Sequence, residues 1–310
     1  MHPPSSFSSS HAPATGDPLE VGPIRDLPPE QVVRAARLVR SGRVISLAAA
    51  RFRGMPLFPG HPAFEVLGFR SPRGIRVADD KPWGPRNGVG LAYMSEVVSG
   101  TTHSGAHIDA LAHITIGPDS HWYGGATADE FLGDFGPTRG DGAKLPPIFT
   151  RGILLDVPTF RGVDALPRGE PVSADELQAV ARAEKVSVER WDVVLIRTGY
   201  MRYWPDRALL AEHVAAGPDL SAARWLVERG VVATGTDTEP YEVQPTNHPG
   251  EPHNPQPVHT HLLIEHGVYI MESLDLEAAA REKAYEFLFV ALPLKIVGAT
   301  GSMVDPVAVL

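Results

Sequence analysis

The chain has 310 residues, 43% of them hydrophobic, with a formal net charge of -9; that is enough apolar material for a sizeable core, and it lacks the basic field that nucleic acid or an anionic membrane surface attracts. It contains no cysteine, which excludes disulfides, thiolate nucleophiles and Cys-type zinc sites and leaves His, Asp and Glu as first-choice metal ligands. No stretch approaches the ~18 apolar residues of a membrane span, and the opening MHPPSSFSSSHAPATGDP lacks the basic and apolar regions of a secretory signal, so a cytoplasmic location is expected.

Residues 1–26 are rich in Pro, Ser and Gly without an apolar period, and read as a flexible leader ahead of one domain over residues 27–310. Pro28-Pro29-Glu30 is a helix start, with Val32, Val33, Ala36 and Leu38 on its apolar side and Gly42 as its stop. Residues 44–48 read as a buried strand. An irregular loop over residues 51–72 follows, and its Met55, Phe58, Pro59, His61 and Phe64 suit either loop packing or a wall over a site. Residues 88–98 form a candidate strand, and residues 117–147 a long Gly-rich connection that holds Trp122 and Tyr123.

The run Gly-Ile-Leu-Leu-Asp-Val over residues 152–157 has the continuous apolar character of a strand buried on both faces. Ser173-Ala-Asp-Glu176 is a capping box that opens a helix over residues 174–184. Further strands are predicted over residues 191–197, 231–235, 269–271 and 287–292, with helices over residues 221–228 and 257–266 closed by Gly230 and Gly267. Strands alternating with short helices define an α/β class. Several connections are too short for a regular doubly wound sheet, so the expected architecture is a compact, mixed, barrel-like β/α domain.

The densest chemistry lies in residues 103–113, His-Ser-Gly-Ala-His-Ile-Asp-Ala-Leu-Ala-His. His103, His107, Asp109 and His113 offer the imidazole nitrogens and carboxylate oxygen that borderline divalent ions accept. Their even spacing suits an extended segment, in which alternate side chains share a face, and Gly105 argues against a helix starting there. From Ile108 onward a helix would also bring Asp109 and His113 together. The C-terminal half supplies a second group. Residues 235–242, Gly-Thr-Asp-Thr-Glu-Pro-Tyr-Glu, end a buried strand with three acids, and His248, His253, His259, His261 and Glu272 follow. A carboxylate such as Glu272 directly after a buried strand is costly unless it is ion-paired or bound to a cation. His248 and His253 lie in a Pro-rich loop and read as solvated.

These residues resemble the cyclase family of metal-dependent hydrolases, which includes kynurenine formamidase and isatin hydrolase. The family motif His-x-Gly-Thr-His-x-Asp-x-Pro-x-His is matched at every imidazole and carboxylate, with Ala106 replacing Thr and Leu111 replacing Pro. The likeness extends from about Val44 to the C-terminus, through Gly-Met-Pro at 54–56, Thr-Asp-Thr at 236–238 and Leu-Pro-Leu-Lys-Ile at 292–296. It implies a swivelling β/β/α single domain binding one or two divalent ions, zinc or manganese. By resemblance His103, His107 and Asp109 bind the first metal, Asp109 bridges to a second held by His259 and Glu272, and His113 is the general acid/base. His261 competes with His259 for that place. The resemblance also implies a homodimer or homotetramer and a small-molecule amide, cyclic amide or lactone as substrate. Phe58, Trp83, Trp122 and Tyr123 either wall an aromatic substrate pocket or belong to the core. Two alternatives stand beside hydrolysis: a polyketide-type ring cyclase, and a non-catalytic metal-binding protein.

Overall fold

Four parallel strands stand at the centre of the molecule, most of them drawn from the apolar runs of the sequence. The computed structural model describes residues 17–80, 82–204, 206, 214–246 and 253–310. Ile148–Asp156 lies beside Val193–Arg197, then Ala233–Thr236, then Tyr269–Glu272, all parallel. Every residue of the last three is buried, as strands covered on both faces must be. Parallel neighbours require crossovers. Two of these carry the Ala174–Glu184 and Leu220–Arg229 helices, and the third carries Pro257–His259 running into a π-helix, Thr260–Glu265. The Ser173 hydroxyl accepts the Glu176 N–H at 3.3 Å, and the Asp219 carboxylate accepts that of Ala222 at 3.0 Å, so each of the two long helices begins on a side-chain cap.

Antiparallel strands extend both sides into a curled, nine-stranded half-barrel, the mixed α/β single domain expected from the sequence. Glu286–Ala291 pairs with Ile148–Asp156, and Val307–Val309 and Val44–Ser46 continue to one edge. On the other side His107–Asp109 pairs with Tyr269–Glu272, and Gly301–Met303 forms the far edge. Short ladders outside this sheet join Glu65–Arg70 to Ser95–Ser99, Leu132–Gly133 to Gly136–Pro137, and Pro171–Val172 to Gly217–Pro218. Among the described residues no helix is long and apolar enough to cross a membrane.

Several expectations need correction. The flexible leader does not reach residue 26: Pro18–Val21 and Pro23–Asp26 are single helical turns, and Val21 and Ile24 are buried in the main core. The Tyr269 hydroxyl donates to the Val21 carbonyl at 2.9 Å, which ties this segment to a central strand. Turns of four residues are too short to carry a readable apolar period, so only the packing reveals them. The strand at Val44–Ser46 is half exposed because it lies at an edge. Of residues 88–98 only the last part is strand, and it pairs with Glu65–Arg70 from the supposed loop instead of joining the main sheet. The first long helix spans Pro29–Ala36 and ends well before Gly42.

Because Val21 sits in the core, Val21→Ala should cost about 1–3 kcal/mol of stability. A chain starting at residue 27 should be destabilised further. Urea midpoints that match the full-length protein would place residues 17–26 outside the folding unit.

Candidate metal centre

The centre is built on the short His107–Asp109 strand, held between two partners. Its register sets Glu272 opposite His107 on one side and Gly301 opposite Asp109 on the other. Residues two apart on a strand share a face. His107 and Asp109 therefore point together, with Glu272 adjacent on the next strand: His107 Nε2 lies 3.3 Å from Glu272 Oε2 and 3.6 Å from Asp109 Oδ1. Glu272 is the last residue of a parallel strand, and the carboxyl ends of such strands are where open α/β sheets place their ligands.

His103 enters from the turn before the strand. Gly105, at φ +57°, makes the reversal. The Gly105 carbonyl accepts from His107 Nδ1 at 2.7 Å, which leaves Nε2 as the metal-facing nitrogen. His103 Nδ1 reaches Asp109 Oδ1 at 3.0 Å, while its Nε2 meets Thr300 Oγ1 at 3.1 Å. Gly301 makes room for it, since a Cβ there would stand 2.5 Å from His103 Cε1. Arg51 staples the turn from outside: its Nε donates to the Ser104 carbonyl at 2.8 Å, and one terminal nitrogen donates to Ala106 and Val304 carbonyls. Ala106, which replaces the family's Thr, faces the core. The backbone of the turn is thus ordered by a guanidinium, together with the Thr101 hydroxyl, which accepts the His103 N–H at 3.1 Å.

The second group comes from the crossover before Tyr269–Glu272. His259 Nε2 is 3.1 Å from Glu272 Oε1 and 3.9 Å from Asp109 Oδ2. Its Nδ1 meets Glu242 Oε1 at 2.6 Å, and Glu242 also accepts the N–H groups of Val258 and His259. A carboxylate on the far nitrogen of an imidazole fixes its tautomer and raises its basicity as a ligand. His259, not His261, therefore belongs to this centre.

Two triplets of ligand atoms result, His103/His107/Asp109 and Asp109/His259/Glu272, each with all atoms within 4.8 Å of one another. Ligand-atom separations of 3.0 and 3.6 Å in the first triplet and 3.1 and 3.9 Å in the second bracket the ~3.3 Å between ligands arranged tetrahedrally about an ion at ~2 Å. Asp109 is fully buried, and its Oδ2 has no hydrogen-bond partner among the described residues. A buried carboxylate oxygen in that position asks for a cation. The donor set fits one or two divalent ions.

Charge within the cluster is strongly coupled. Burial would lower His107, but the hydrogen bond and charge of Glu272, with Asp109, outweigh it and raise it to about 9. Burial would raise Glu272, yet hydrogen bonds from His107 and His259 pull it down to about 2. Asp109, opposed by burial, is held well below the usual carboxylate range by His113, His103 and His107. Without an ion, protons on imidazoles balance the two carboxylates.

His113 follows in the turn after the strand. Its ring stacks on His103 with centroids 4.0 Å apart, and its Nε2 is 4.0 Å from Asp109 Oδ1. At 21% side-chain exposure it is the most open imidazole of the motif. Burial lowers it to about 4 despite the opposing charge of Asp109, so it is neutral near pH 7. It faces a cavity of about 270 Å³ whose walls include Phe58, His61, Ile114, Glu239 and Gln256. His61 stacks on His103 at 5.2 Å. Glu239 Oε1 accepts the Phe58 N–H at 2.7 Å, and burial, reinforced by the charge of Glu272, pushes its carboxyl up to about 7.

Of the four aromatic residues named from the sequence, only Phe58 lines this cavity. Trp122 is core: after His113 the chain reverses through an Ile116–His121 bridge, which packs Trp122 on Ala112 and Ala126. Tyr123 packs over Gly267 and the core. Trp83, 58% exposed, stands against Tyr93 in the segment linking the Glu65–Arg70 and Ser95–Ser99 strands. His253 is exposed, and His248 lies outside the described residues. The three acids after Ala233–Thr236 are visible in the sequence as a group, but their division of labour is not. Asp237 accepts the N–H groups of Thr198, Gly199 and Tyr200, Glu239 faces the cavity, and Glu242 orients His259. Arg51 and Gly301 carry no local signal at all.

The sequence model of the family described as "Putative cyclase" matches residues 27–243, and the chain belongs to the cyclase family. His259 and Glu272 lie beyond the matched segment. Among solved structures, one described as a novel cyclase is 26% identical with a TM-score of 0.82, covering 94% of each chain. Isatin hydrolase A from Labrenzia aggregata, bound to benzyl benzoate, is 20% identical with a TM-score of 0.62, covering 90% of this chain and 97% of that one. A potential metal-dependent hydrolase with cyclase activity is 18% identical with a TM-score of 0.52, covering 86% and 98%. No curated protein matches the chain.

Since His107 holds its proton up to about pH 9 in the metal-free centre, a divalent ion must displace it. Zinc binding near pH 7 should release protons, and affinity should rise with pH through the neutral range, by up to tenfold per unit for each proton displaced. Calorimetry in buffers of different ionisation enthalpy measures this. A pH-independent affinity would contradict the arrangement.

Proposed function

We propose that this protein is a metal-dependent hydrolase that opens an amide, cyclic amide or lactone bond in a small molecule, in a cytoplasmic setting. One observation carries the reading: two ligand triplets meet at Asp109, beside a neutral His113, on the wall of a cavity of small-molecule size. His103, His107 and Asp109 would hold one ion, and Asp109, His259 and Glu272 a second, zinc or manganese by donor type. When bound, such an ion supplies Lewis acidity and lowers the pKa of water toward neutrality.

The chain's own residues supply the rest. His113 Nε2 takes a proton from the attacking water and returns it to the departing nitrogen or oxygen, a role open to an imidazole that is neutral near pH 7. Stacking on His103 fixes its ring plane. Phe58 and Ile114 offer apolar contact, while His61, Gln256 and Glu239 offer hydrogen bonds, a lining suited to a flat carbonyl compound with polar edges. The similar fold of an isatin hydrolase bound to the product analogue thioisatinate, at a TM-score of 0.60 and 20% identity, supports the cyclic amide class. A ring-forming cyclase would draw on the same groups, and product analysis separates closure from opening. A purely structural ion has no use for an open cavity beside His113.

Metal analysis combined with a hydrolysis screen over N-formyl aromatic amines, isatin and lactones tests the proposal. His113→Ala should retain metal and lose turnover by about a hundredfold or more. Asp109→Ala should lose both, and full activity in either variant would refute the assignment.

We further infer a homo-oligomer, from the two-stranded ladder of Glu65–Arg70 and Ser95–Ser99. Val66 and Leu67 on one strand, and Val97 and Val98 on the other, are exposed on opposite faces, and Phe69 is 76% exposed. A lone two-stranded ladder is marginal in water, and a second copy of the chain would cover this apolar surface. Replacing Phe69 and Val98 by Asp should reduce the mass seen by light scattering to that of a monomer. An unchanged mass would mean that the copies meet elsewhere.

A further inference from the structure

The crossover that delivers His259 carries a second cluster of ligand-type side chains, separate from the group around Asp109. His261, Glu265 and His266 each present one ligand atom, and the three lie within 4.8 Å of one another. Their meeting depends on the local helix type. In an α-helix, residue i+5 is rotated about 140° from residue i, so His266 would lie on a different face from His261. The Thr260–Glu265 segment is a π-helix, whose i→i+5 pattern returns the fifth residue to the same face. Glu265 and His266 are thereby both presented to His261. The Nδ1 of His261 meets Glu265 Oε2 at 2.6 Å, and the His261 and His266 rings lie with centroids 4.5 Å apart.

A simple His–Glu ion pair accounts for only part of this. It gives no reason for the His266 ring to close on the pair. Two imidazoles and one carboxylate are a donor set for zinc, nickel or copper, and too nitrogen-rich for calcium or magnesium. The His261 side chain is 14% exposed and that of Glu265 51%, so an ion would be gripped from below and reached from solvent. Ligands around a tetrahedral ion stand ~3.3 Å apart, so Glu265 would withdraw by less than about 1 Å, easily done by a half-exposed side chain.

We propose that His261, Glu265 and His266 form an outer site for one borderline divalent cation, distinct from the Asp109 centre. The bound ion clamps the π-turn directly after His259 and stabilises the native chain by mass action. Titrating metal-stripped protein with zinc chloride, followed by calorimetry and thermal melting, tests this. The double variant His261→Ala/His266→Ala should bind one equivalent fewer than wild type and lose the corresponding rise in melting temperature. Equal stoichiometry in the two proteins would overturn the proposal. Should the double variant fail to fold, Glu265→Gln replaces a half-exposed side chain, and it should weaken that one equivalent about tenfold or more; unchanged binding counts against the site. The inference does not rest on the Asp109 centre, so the outer equivalent should persist in Asp109→Ala, and its disappearance there would also contradict it.

Discussion

The constraint on which this molecule depends is the burial of Asp109 with one carboxylate oxygen that has no hydrogen-bond partner among the described residues. A charge removed from water costs several kcal/mol unless something of opposite sign replaces the lost hydration. Elsewhere on the sheet buried charges are matched directly, Arg151 with Asp192 and Glu286, and Arg197 with Asp156 and Glu277. Around Asp109 stand imidazoles and another carboxylate, and that group reaches balance only by holding protons or by holding metal ions. The same deficit that would weaken an ordinary core makes this one a place for a cation.

The fold supports that deficit by spreading the ligands over elements that cannot easily shift. His107 and Asp109 sit on a strand paired on both sides, and Glu272 ends a buried parallel strand. His103 is held by the Arg51 staple and by the room that Gly301 leaves. His259 is anchored at the far side of its ring by Glu242. Each ligand is therefore fixed by packing or a hydrogen bond behind it, which keeps the reorganisation on metal binding small. His113, in a turn and partly open to the cavity, is the member left accessible to a substrate.

The irregular features follow the same division. The parallel strands and their capped helices are regular because they form the scaffold. Departures from regularity beside the centre include the π-helix after His259, the left-handed Gly105, and the loop that brings Phe58 and His61 over the cavity. At these points the broken periodicity serves to aim side chains at the centre, and the scaffold of buried strands holds them in place.

Much of this was legible in the chain alone, because some signals are local. Continuous apolar runs announced the parallel strands, the Ser173 capping box marked a helix to the residue, and four ligand-type side chains within residues 103–113 announced a metal centre. Other features are set by contacts between distant segments and leave no local trace. Register alone puts Glu272 across from His107, and packing alone draws Val21 and Ile24 into the core and buries Trp122 behind the motif. Helix type and direction decided between His259 and His261, two imidazoles that the sequence could not tell apart. The amino-acid order by itself determined which chemistry is present, because ligand type is a property of single residues. Only the tertiary structure decided which of those groups share a site, because proximity is a property of the folded chain.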